Sequence, residues 1–541
     1  MKISGNIVDV KNRRIFSGSL IIENSRIIDI EENDKVYNNY IMPGFINSHV
    51  HIESSMLTPS AFAHIAVQHG TVATVSDPHE IANVLGIKGI DFMIDNAKTV
   101  PLKMFFGAPS CVPATAFETS GAIIDAKEID QLMQRDDIWY LSEMMNFPAV
   151  IFQDKEVHAK LKSAKKYNKP IDGHAPFLMG EDLKKYAKGG ITTDHECVTI
   201  EEALEKIDLG IKIQIREGSA AKNFEALHSL ISKQPDKVML CTDDSHPDDL
   251  IQGFINRIVE RAVKYGHNIF DVLQAVSVNV VEHYNLPVGL LQKGDLADFI
   301  VVDDLTHFKI QATYINGELV FDGQTTQFEI SDSEVLNRFD RQKINIDDLK
   351  LTLPENTILK VIEAYDGDLT TGVYKYQTNQ SFDNFESDLS KDILKMVVLS
   401  RYDQSAIQIA YVKGFGMKQG AFASSIAHDS HNIIAVGTND EDLLQAINQL
   451  IDNKGGISFS NKTDHESLEL EIAGLMTNRN IEDVALQYKT ISDKIKEVGS
   501  VLYAPLMTAA FMSLLVIPKL KLGDKGLFDV EKFAFTELVE K

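Results

Sequence analysis

The chain has 541 residues, which is too many for a single hydrophobic core and predicts about three domains. Its hydrophobic fraction of 44% and charged fraction of 24% are typical of a globular protein. The formal net charge of −25 argues against a nucleic-acid backbone or an anionic membrane as the main partner, since both would repel an acidic protein. Cys111, Cys197 and Cys241 form no Cys-x-x-Cys pair, which argues against a disulfide framework and favours a cytoplasmic location.

Within the first 285 residues the pattern of apolar and polar positions changes once, after residue 42. Residues 1–42 alternate like short strands, with a hairpin signal at the centre of Ile21–Ile30. Residues 43–285 then repeat the order strand, polar loop, amphipathic helix, which predicts a parallel (β/α)8 barrel of the TIM type. The eight strands are predicted at 44–51, 71–76, 103–107, 138–144, 170–174, 190–195, 211–216 and 238–243.

Beyond the barrel the pattern changes again. Residues 286–325 return to short strands with Asn-Gly and Lys-Gly-Asp turns, and we expect them to join residues 1–42 in one small β domain. Residues 326–350 are polar and predict a linker, and residues 351–541 predict an additional α+β domain. No stretch approaches the roughly 18 uninterrupted apolar residues of a membrane span.

Metal-ligand residues stand at the ends of five predicted barrel strands. The runs Gly44–His51, Trp139–Glu143, Pro170–His174, Ile191–His195 and Val238–Asp243 end in His49 and His51, Glu143, His174, His195 and Asp243. The carboxyl ends of barrel strands surround the active site, so ligands far apart in sequence meet there. These six residues are our predicted metal ligands.

The donor types indicate a hydrolytic metal centre. Imidazole and carboxylate suit Zn²⁺, Mn²⁺ or Fe²⁺, and His49 and His51, one residue apart on a strand, project to the same face. Glu143 could bridge their metal to a second one held by His174 and His195, since paired hydrolytic metals lie about 3.5–4 Å apart. Such a pair turns water into hydroxide near neutral pH. Asp243 would then act as the base that carries the proton to the leaving group.

Each residue alone has a simpler interpretation. A single His-x-His pair is weak evidence for a metal, Glu143 alone could be an ion-paired barrel residue, and Asp243 could cap the helix before Pro247. The conjunction of six ligand types on five strand ends is much stronger than any one of them.

The motifs resemble those of the amidohydrolase superfamily, and within it the bacterial adenine deaminases. Pro43–His51 and Lys293–Val301 carry the likeness to the superfamily. The likeness to the adenine deaminases extends over nearly the whole chain and rests on His49–Ser55, Ser76–Asn83, Glu143–Asn146, Gly173–Ala175, Asp194–Glu196, Arg216–Ser219, Cys241–Pro247, Lys413–Met417, Ala423–Asn432 and Ala473–Met476. The last three segments match that family's carboxy-terminal domain.

The resemblance implies hydrolysis of adenine to hypoxanthine and ammonia, with hydroxide attacking C6 at a centre of two divalent metal ions, Mn²⁺ first and Fe²⁺ or Zn²⁺ as alternatives. This family has a glutamate as the metal bridge where many relatives have a carboxylated lysine, and Glu143 matches it. Glu143 and Asp243 are therefore the expected catalytic residues. The expected partner is a small molecule, adenine, and we expect a homo-oligomer, a dimer.

Several further motif residues are candidates with an open alternative. Arg216, Glu217, Ser219 and Glu53 are candidates for substrate binding, although a loop ion pair would equally explain the Arg216–Ser219 motif. His79, His428 and His431 are candidates for a lid or an extra site, or for contacts that only hold their own domain together.

Two other functions are also compatible with the sequence. One is a different amidohydrolase, acting on a cyclic amide or another aminated heterocycle, because a barrel does not determine its chemistry. The other is a non-catalytic scaffold derived from such an enzyme, although all six ligands are present. The zinc deaminases of nucleic acids need a Pro-Cys-x-x-Cys motif, and this sequence lacks it.

Overall fold

The computed structural model describes residues 1–219 and 221–540, in two compact units. The first unit comprises Met1–Pro78, Asp91–Ser110 and Asp125–Ser333, and the second comprises His79–Ile90, Cys111–Ile124 and the chain from Glu334 onward. Two short stretches inside the barrel sequence, 79–90 and 111–124, therefore belong to the second unit.

The strands up to residue 321 are short, as the sequence predicts. In chain order they are Lys2–Asp9 (β1), Arg14–Glu23 (β2), Arg26–Glu32 (β3), Tyr40–Pro43 (β4), Phe45–His51 (β5), Thr71–Ser76 (β6), Lys103–Ala108 (β7), Ile138–Met144 (β8), Ile171–Gly173 (β9), Thr193–Asp194 (β10), Lys212–Arg216 (β11), Val238–Cys241 (β12), Asp243–Asp244 (β13), Phe299–Val302 (β14), Ile310–Ile315 (β15) and Glu318–Phe321 (β16).

The α-helices alternate with the barrel strands. They are Pro59–Ala66 (α1), His79–Leu85 (α2), Ile87–Ala97 (α3), Ala126–Met133 (α4), Phe147–Ile151 (α5), Lys155–Lys166 (α6), Gly180–Lys188 (α7), Ile200–Asp208 (α8), Phe224–Leu227 (α9), Leu230–Lys233 (α10), Pro247–Leu250 (α11), Ile255–Lys264 (α12), Ile269–Leu273 (α13) and Asn279–Tyr284 (α14). Of the described residues, none forms a helix long and apolar enough to cross a membrane.

The predicted barrel is confirmed. Strands β5 to β9 pair in parallel order, β10 to β12 continue the barrel, and β13 pairs with β5 to close it. The amide of Thr192 donates to the carbonyl of Ile171 at 2.8 Å and joins the two groups of strands. Asn47 fixes the closure, because its side chain donates to Thr242 Oγ1 at 2.7 Å and accepts from the Thr242 amide at 3.1 Å.

The last barrel strand differs in one detail from the prediction of a single strand at 238–243. It is interrupted after Cys241 and resumes at Asp243 as β13. Asp243 has a φ of +58°, in the left-handed region, which no continuous strand allows. This turn lies at the strand end where the predicted ligands gather.

The strands that flank the barrel form one seven-stranded sheet in the order β16-β15-β14-β4-β1-β2-β3. The segments from the two ends of the barrel sequence meet where β14 pairs antiparallel with β4. Its core includes Ile7, Leu20, Ile41 and Phe299, each with no exposed surface.

The second unit contains a nine-stranded sheet, a separate three-stranded sheet near the carboxyl end of the chain, and helices. Its strands are Ile358–Ala364 (β17), Thr371–Gln377 (β18), Leu394–Leu399 (β19), Gln408–Lys413 (β20), Ala421–Ser424 (β21), Ile433–Gly437 (β22), Gly456–Asn461 (β23), Asp464–Glu469 (β24), Leu520–Gly523 (β25), Gly526–Asp529 (β26), Ala534–Phe535 (β27) and Val539–Glu540 (β28). Its further helices are Asp440–Asn453 (α15), Ile481–Glu497 (α16) and Pro505–Ala510 (α17). Helix α15 buries Leu443 and Ile447 against Val397 and Ile433, and the polar stretch before β17 adds Leu349 to this core.

Candidate active site

His49 and His51 lie at the carboxyl end of β5, on the face that points into the barrel mouth. Both are buried, and their Nε2 atoms lie 3.2 Å apart. The Nδ1 atom of His51 lies 3.1 Å from the carbonyl oxygen of Asp77, which can only accept a hydrogen bond. Nδ1 therefore carries the proton, and Nε2 presents its lone pair to the site.

Glu143, at the end of β8, faces two groups of donors with its two carboxylate oxygens. Its Oε1 lies 3.2 Å from His51 Nε2 and 3.9 Å from His49 Nε2. Its Oε2 lies 2.6 Å from His174 Nδ1 and 3.2 Å from His195 Nε2. This carboxylate thus stands between two pairs of imidazoles.

The three separations of 3.2 Å in this cluster agree with ligands arranged around metal ions. Two donor atoms that each lie about 2.1 Å from one ion, at right or tetrahedral angles, are about 3.0–3.5 Å apart. The donor atoms of Glu143, His174 and His195 all lie within 4.8 Å of one another, and so do those of His49, His195 and Asp243. Imidazoles and carboxylates are a donor set that a divalent metal ion accepts. The cluster fits a divalent metal ion.

Asp243 completes the cluster from β13. Its Oδ1 lies 3.0 Å from His51 Nε2 and 3.5 Å from His49 Nε2. Its Oδ2 accepts a hydrogen bond from the guanidinium of Arg216. Burial raises the pKa of Asp243, but the charge of Arg216 and the contacts with His49 and His51 outweigh burial and hold this pKa well below its ordinary value.

The electrostatics of the cluster require positive charge. Burial raises the pKa of Glu143, but the charge of His174 and the hydrogen bonds from the surrounding imidazoles reverse the effect and lower it well below the usual range. Burial lowers the pKa of His174, whereas Glu196 and Glu143 raise it to about 9. A divalent cation would supply the charge that protons on these imidazoles otherwise provide.

Glu196 is a buried carboxylate of the site that the predicted ligand set does not include. Its Oε1 lies 3.6 Å from His195 Nε2 and 3.7 Å from His174 Nδ1, and it also accepts from Arg216. The sequence places Glu196 directly after His195, in the motif Asp194–Glu196, and this position could have marked it as a residue of the site. Glu196 and Asp243 share one guanidinium, which fixes both carboxylates.

A buried lysine holds the strand ends behind His174 and His195. Lys206 Nζ donates to the carbonyl of Ala175 at 2.7 Å and lies 3.0 Å from Asp194 Oδ2. Asp194 Oδ2 in turn accepts from the Ala175 amide at 3.1 Å. The residues directly after His174 and before His195 are therefore tied together.

The predicted substrate-binding residues have protein partners. Arg216 is occupied by Glu196 and Asp243, and Glu217 forms an ion pair with Arg261. Ser219 Oγ donates to Asp249 Oδ2 at 2.7 Å. Glu53 is buried in the turn that follows β5. The remaining candidates, His79, His428 and His431, belong to the second unit and lie together there.

The barrel and its buried cluster of imidazoles and carboxylates define a class of protein, the amidohydrolases. A model of the amidohydrolase family matches residues 40–320. A model of the adenine deaminase C-terminal domain matches residues 368–534. The chain belongs to the adenine deaminase family within that class.

Two adenine deaminases match this chain over nearly their whole length. An adenine deaminase of Methanosarcina barkeri is 52% identical over 542 residues, covering 99% of this chain and 98% of the relative. An adenine deaminase of Borreliella burgdorferi is 50% identical over 544 residues, covering 99% of each chain. A crystal structure of a β-aspartyl dipeptidase from Fervidobacterium islandicum is 15% identical, with a TM-score of 0.46, and covers 61% of this chain and 100% of the dipeptidase.

Proposed function

We propose that this protein hydrolyses adenine to hypoxanthine and ammonia. The observation that carries the proposal is the position of Glu143, whose two oxygens each face a different pair of imidazoles in a buried cluster. The full-length similarity to adenine deaminases supports adenine as the substrate.

The proposed centre holds two divalent metal ions, with Mn²⁺ as the first choice and Fe²⁺ or Zn²⁺ as ions that accept the same donors. His49, His51, Asp243 and Glu143 Oε1 would hold one ion. His174, His195 and Glu143 Oε2 would hold the other. When bound, such a pair lowers the pKa of water so that hydroxide is available near neutral pH.

Asp243 is the proposed proton carrier. Its carboxylate is ionised at neutral pH because Arg216 holds its pKa low, so it is available to accept a proton from the attacking water. The same low pKa makes the protonated form short-lived, which favours delivery of the proton to the departing amino group. Addition of water at C6 and loss of ammonia then give hypoxanthine.

Arg216 is proposed as a positioning residue. Its guanidinium is buried and is shared by Glu196 and Asp243, so it orients the proton carrier. We propose that Glu53 contacts the purine, because its side chain is buried immediately after the metal-ligand strand. Glu217 and Ser219 would act indirectly, by holding the loop after β11 in place.

The test is turnover by Mn²⁺-loaded protein, followed as ammonia release and as loss of adenine absorbance. Adenosine, cytosine, guanine and dihydroorotate are tested separately as alternative substrates. We expect turnover of adenine alone, loss of turnover in Glu143→Gln, and normal turnover in Glu201→Gln, whose side chain is exposed on α8. A fully metal-loaded protein that leaves adenine intact but hydrolyses another compound of the panel would contradict the proposed substrate.

A further inference from the structure

A second group of metal-ligand side chains lies in the second unit. His79 and Glu80 begin helix α2, whereas His428, Asp429 and His431 follow strand β21. All five are at least 96% buried, with exposed fractions of 4, 2, 4, 2 and 1% in that order. Burial of this many ionisable groups is costly unless they are paired or coordinate a metal.

Glu80 is the centre of this cluster. Its Oε1 lies 2.9 Å from His428 Nδ1 and 3.4 Å from His79 Nε2, and its Oε2 contacts His431 Nε2. Asp429 Oδ1 lies 3.9 Å from both His79 Nε2 and His428 Nδ1. Donors around one ion are about 3.0–3.5 Å apart, and the contacts of Glu80 Oε1 with His428 and His79 have about this spacing.

The contact between Glu80 and His431 brings a second histidine of the loop to the same carboxylate. Glu80 presents one oxygen to His428 and the other to His431, and all three side chains are buried. Two imidazoles around one buried carboxylate are a donor set that a divalent metal ion accepts.

The loop that carries the histidines is held in place independently of the cluster. The amide of His428 donates to the carbonyl of Ala510 at 3.1 Å, and its ring stacks on Phe511 with 4.3 Å between ring centroids. Tyr402 Oη donates to the carbonyl of Ser430 at 2.6 Å. The imidazoles are therefore pre-positioned, which is the condition for tight metal binding.

We propose that Glu80, His428 and His431, with His79 and Asp429 at longer distances, bind a further divalent transition-metal ion. Nitrogen and carboxylate donors without thiolate favour Mn²⁺, Fe²⁺ or Zn²⁺ over Ca²⁺. The ion would join two segments of the second unit that are far apart in sequence, and closing a long loop stabilises the folded state.

The test is metal content, measured by elemental analysis of protein loaded with Mn²⁺ and freed of unbound metal. We expect about three equivalents per chain in the unaltered protein and one fewer in Glu80→Gln and in His431→Asn. His228→Asn is the matched control, because His228 pairs with His267 at 2.9 Å and is not part of either cluster. It should retain all three equivalents.

A barrel variant separates this inference from the proposed function. In His174→Asn, loss of metal should be confined to the barrel, and added Mn²⁺ should still raise the melting temperature. That rise should be smaller when Glu80→Gln is combined with His174→Asn, which leaves only the ion of His49, His51 and Asp243. Two equivalents in the unaltered protein, with the same count in folded Glu80→Gln, would overturn the further site and leave the barrel centre untouched.

A folding defect in Glu80→Gln would be recognised by circular dichroism. In that case His431→Gln, which leaves the Glu80 carboxylate in place, decides the question by the same metal count. Retention of three equivalents in folded His431→Gln and His431→Asn would also overturn the assignment.

Discussion

Replacement of Asp243 by asparagine removes the proposed proton carrier with little change of shape. Asp243 has a φ of +58°, and asparagine tolerates this left-handed conformation as well as aspartate does. The amide oxygen of asparagine can still accept from Arg216, so the turn between β12 and β13 should persist. We therefore expect a folded variant with a melting temperature close to that of the unaltered protein.

The expected loss is in the chemical step. A positioned general base contributes about 10²–10⁴-fold to the rate, which corresponds to about 3–6 kcal/mol of transition-state stabilisation at about 1.4 kcal/mol per tenfold. The contacts of Oδ1 with His49 and His51, at 3.5 and 3.0 Å, would also lose a negative charge. We expect kcat for adenine to fall at least a hundredfold.

The assay is ammonia release at saturating adenine, with metal content measured on the same sample. Asp236→Asn is the matched control, because Asp236 is an exposed carboxylate at the other end of the same barrel strand and should be dispensable. A metal-loaded Asp243→Asn variant that keeps more than about a tenth of the activity would refute the assignment of Asp243 as base.

Three further results are expected. Removal of metal by a chelator should abolish turnover and lower the melting temperature, and Mn²⁺ should restore both, since a ligand that binds only the folded state stabilises it; unchanged turnover in metal-free protein would contradict the proposed centre. Glu196→Gln should lower kcat and shift its acidic pH limb downward, because Asp243 would lose a neighbouring negative charge and would no longer share Arg216; an unaltered pH profile would count against a positioning role. Burial lowers the pKa of Lys521 from 10.5 to about 7. Between pH 7 and pH 10.5 the unfolded chain therefore binds one proton that the folded chain does not. In this range the free energy of unfolding should rise with pH by up to about 1.4 kcal/mol per unit. Chemical denaturation should show this slope relative to Lys521→Met, and equal slopes for the two proteins would exclude it.

Most of the barrel was predictable because its signal is local. Each strand is a short β-branched run followed by polar residues, and the carboxyl ends of parallel barrel strands meet by topology alone. The sequence alone is therefore enough to assign His49, Glu143 and His195 to one cluster. The flanking β segments were equally accessible, since turn residues delimit them.

Contacts between distant side chains needed the tertiary structure. The break before Asp243, the guanidinium of Arg216 shared by Glu196 and Asp243, and the ring of histidines around Glu80 all depend on which segments come together in space. Periodicity reports which face of an element is buried, but not which charged groups meet there.

Six donor residues at barrel strand ends admit few uses, so the kind of chemistry follows from the sequence. The partners of each donor, such as those of the two oxygens of Glu143 and of His51 Nδ1, are known only from the folded chain. Strand and helix patterns arise between neighbours along the chain. The pKa and orientation of a buried ionisable group, in contrast, depend on charges that folding brings near it.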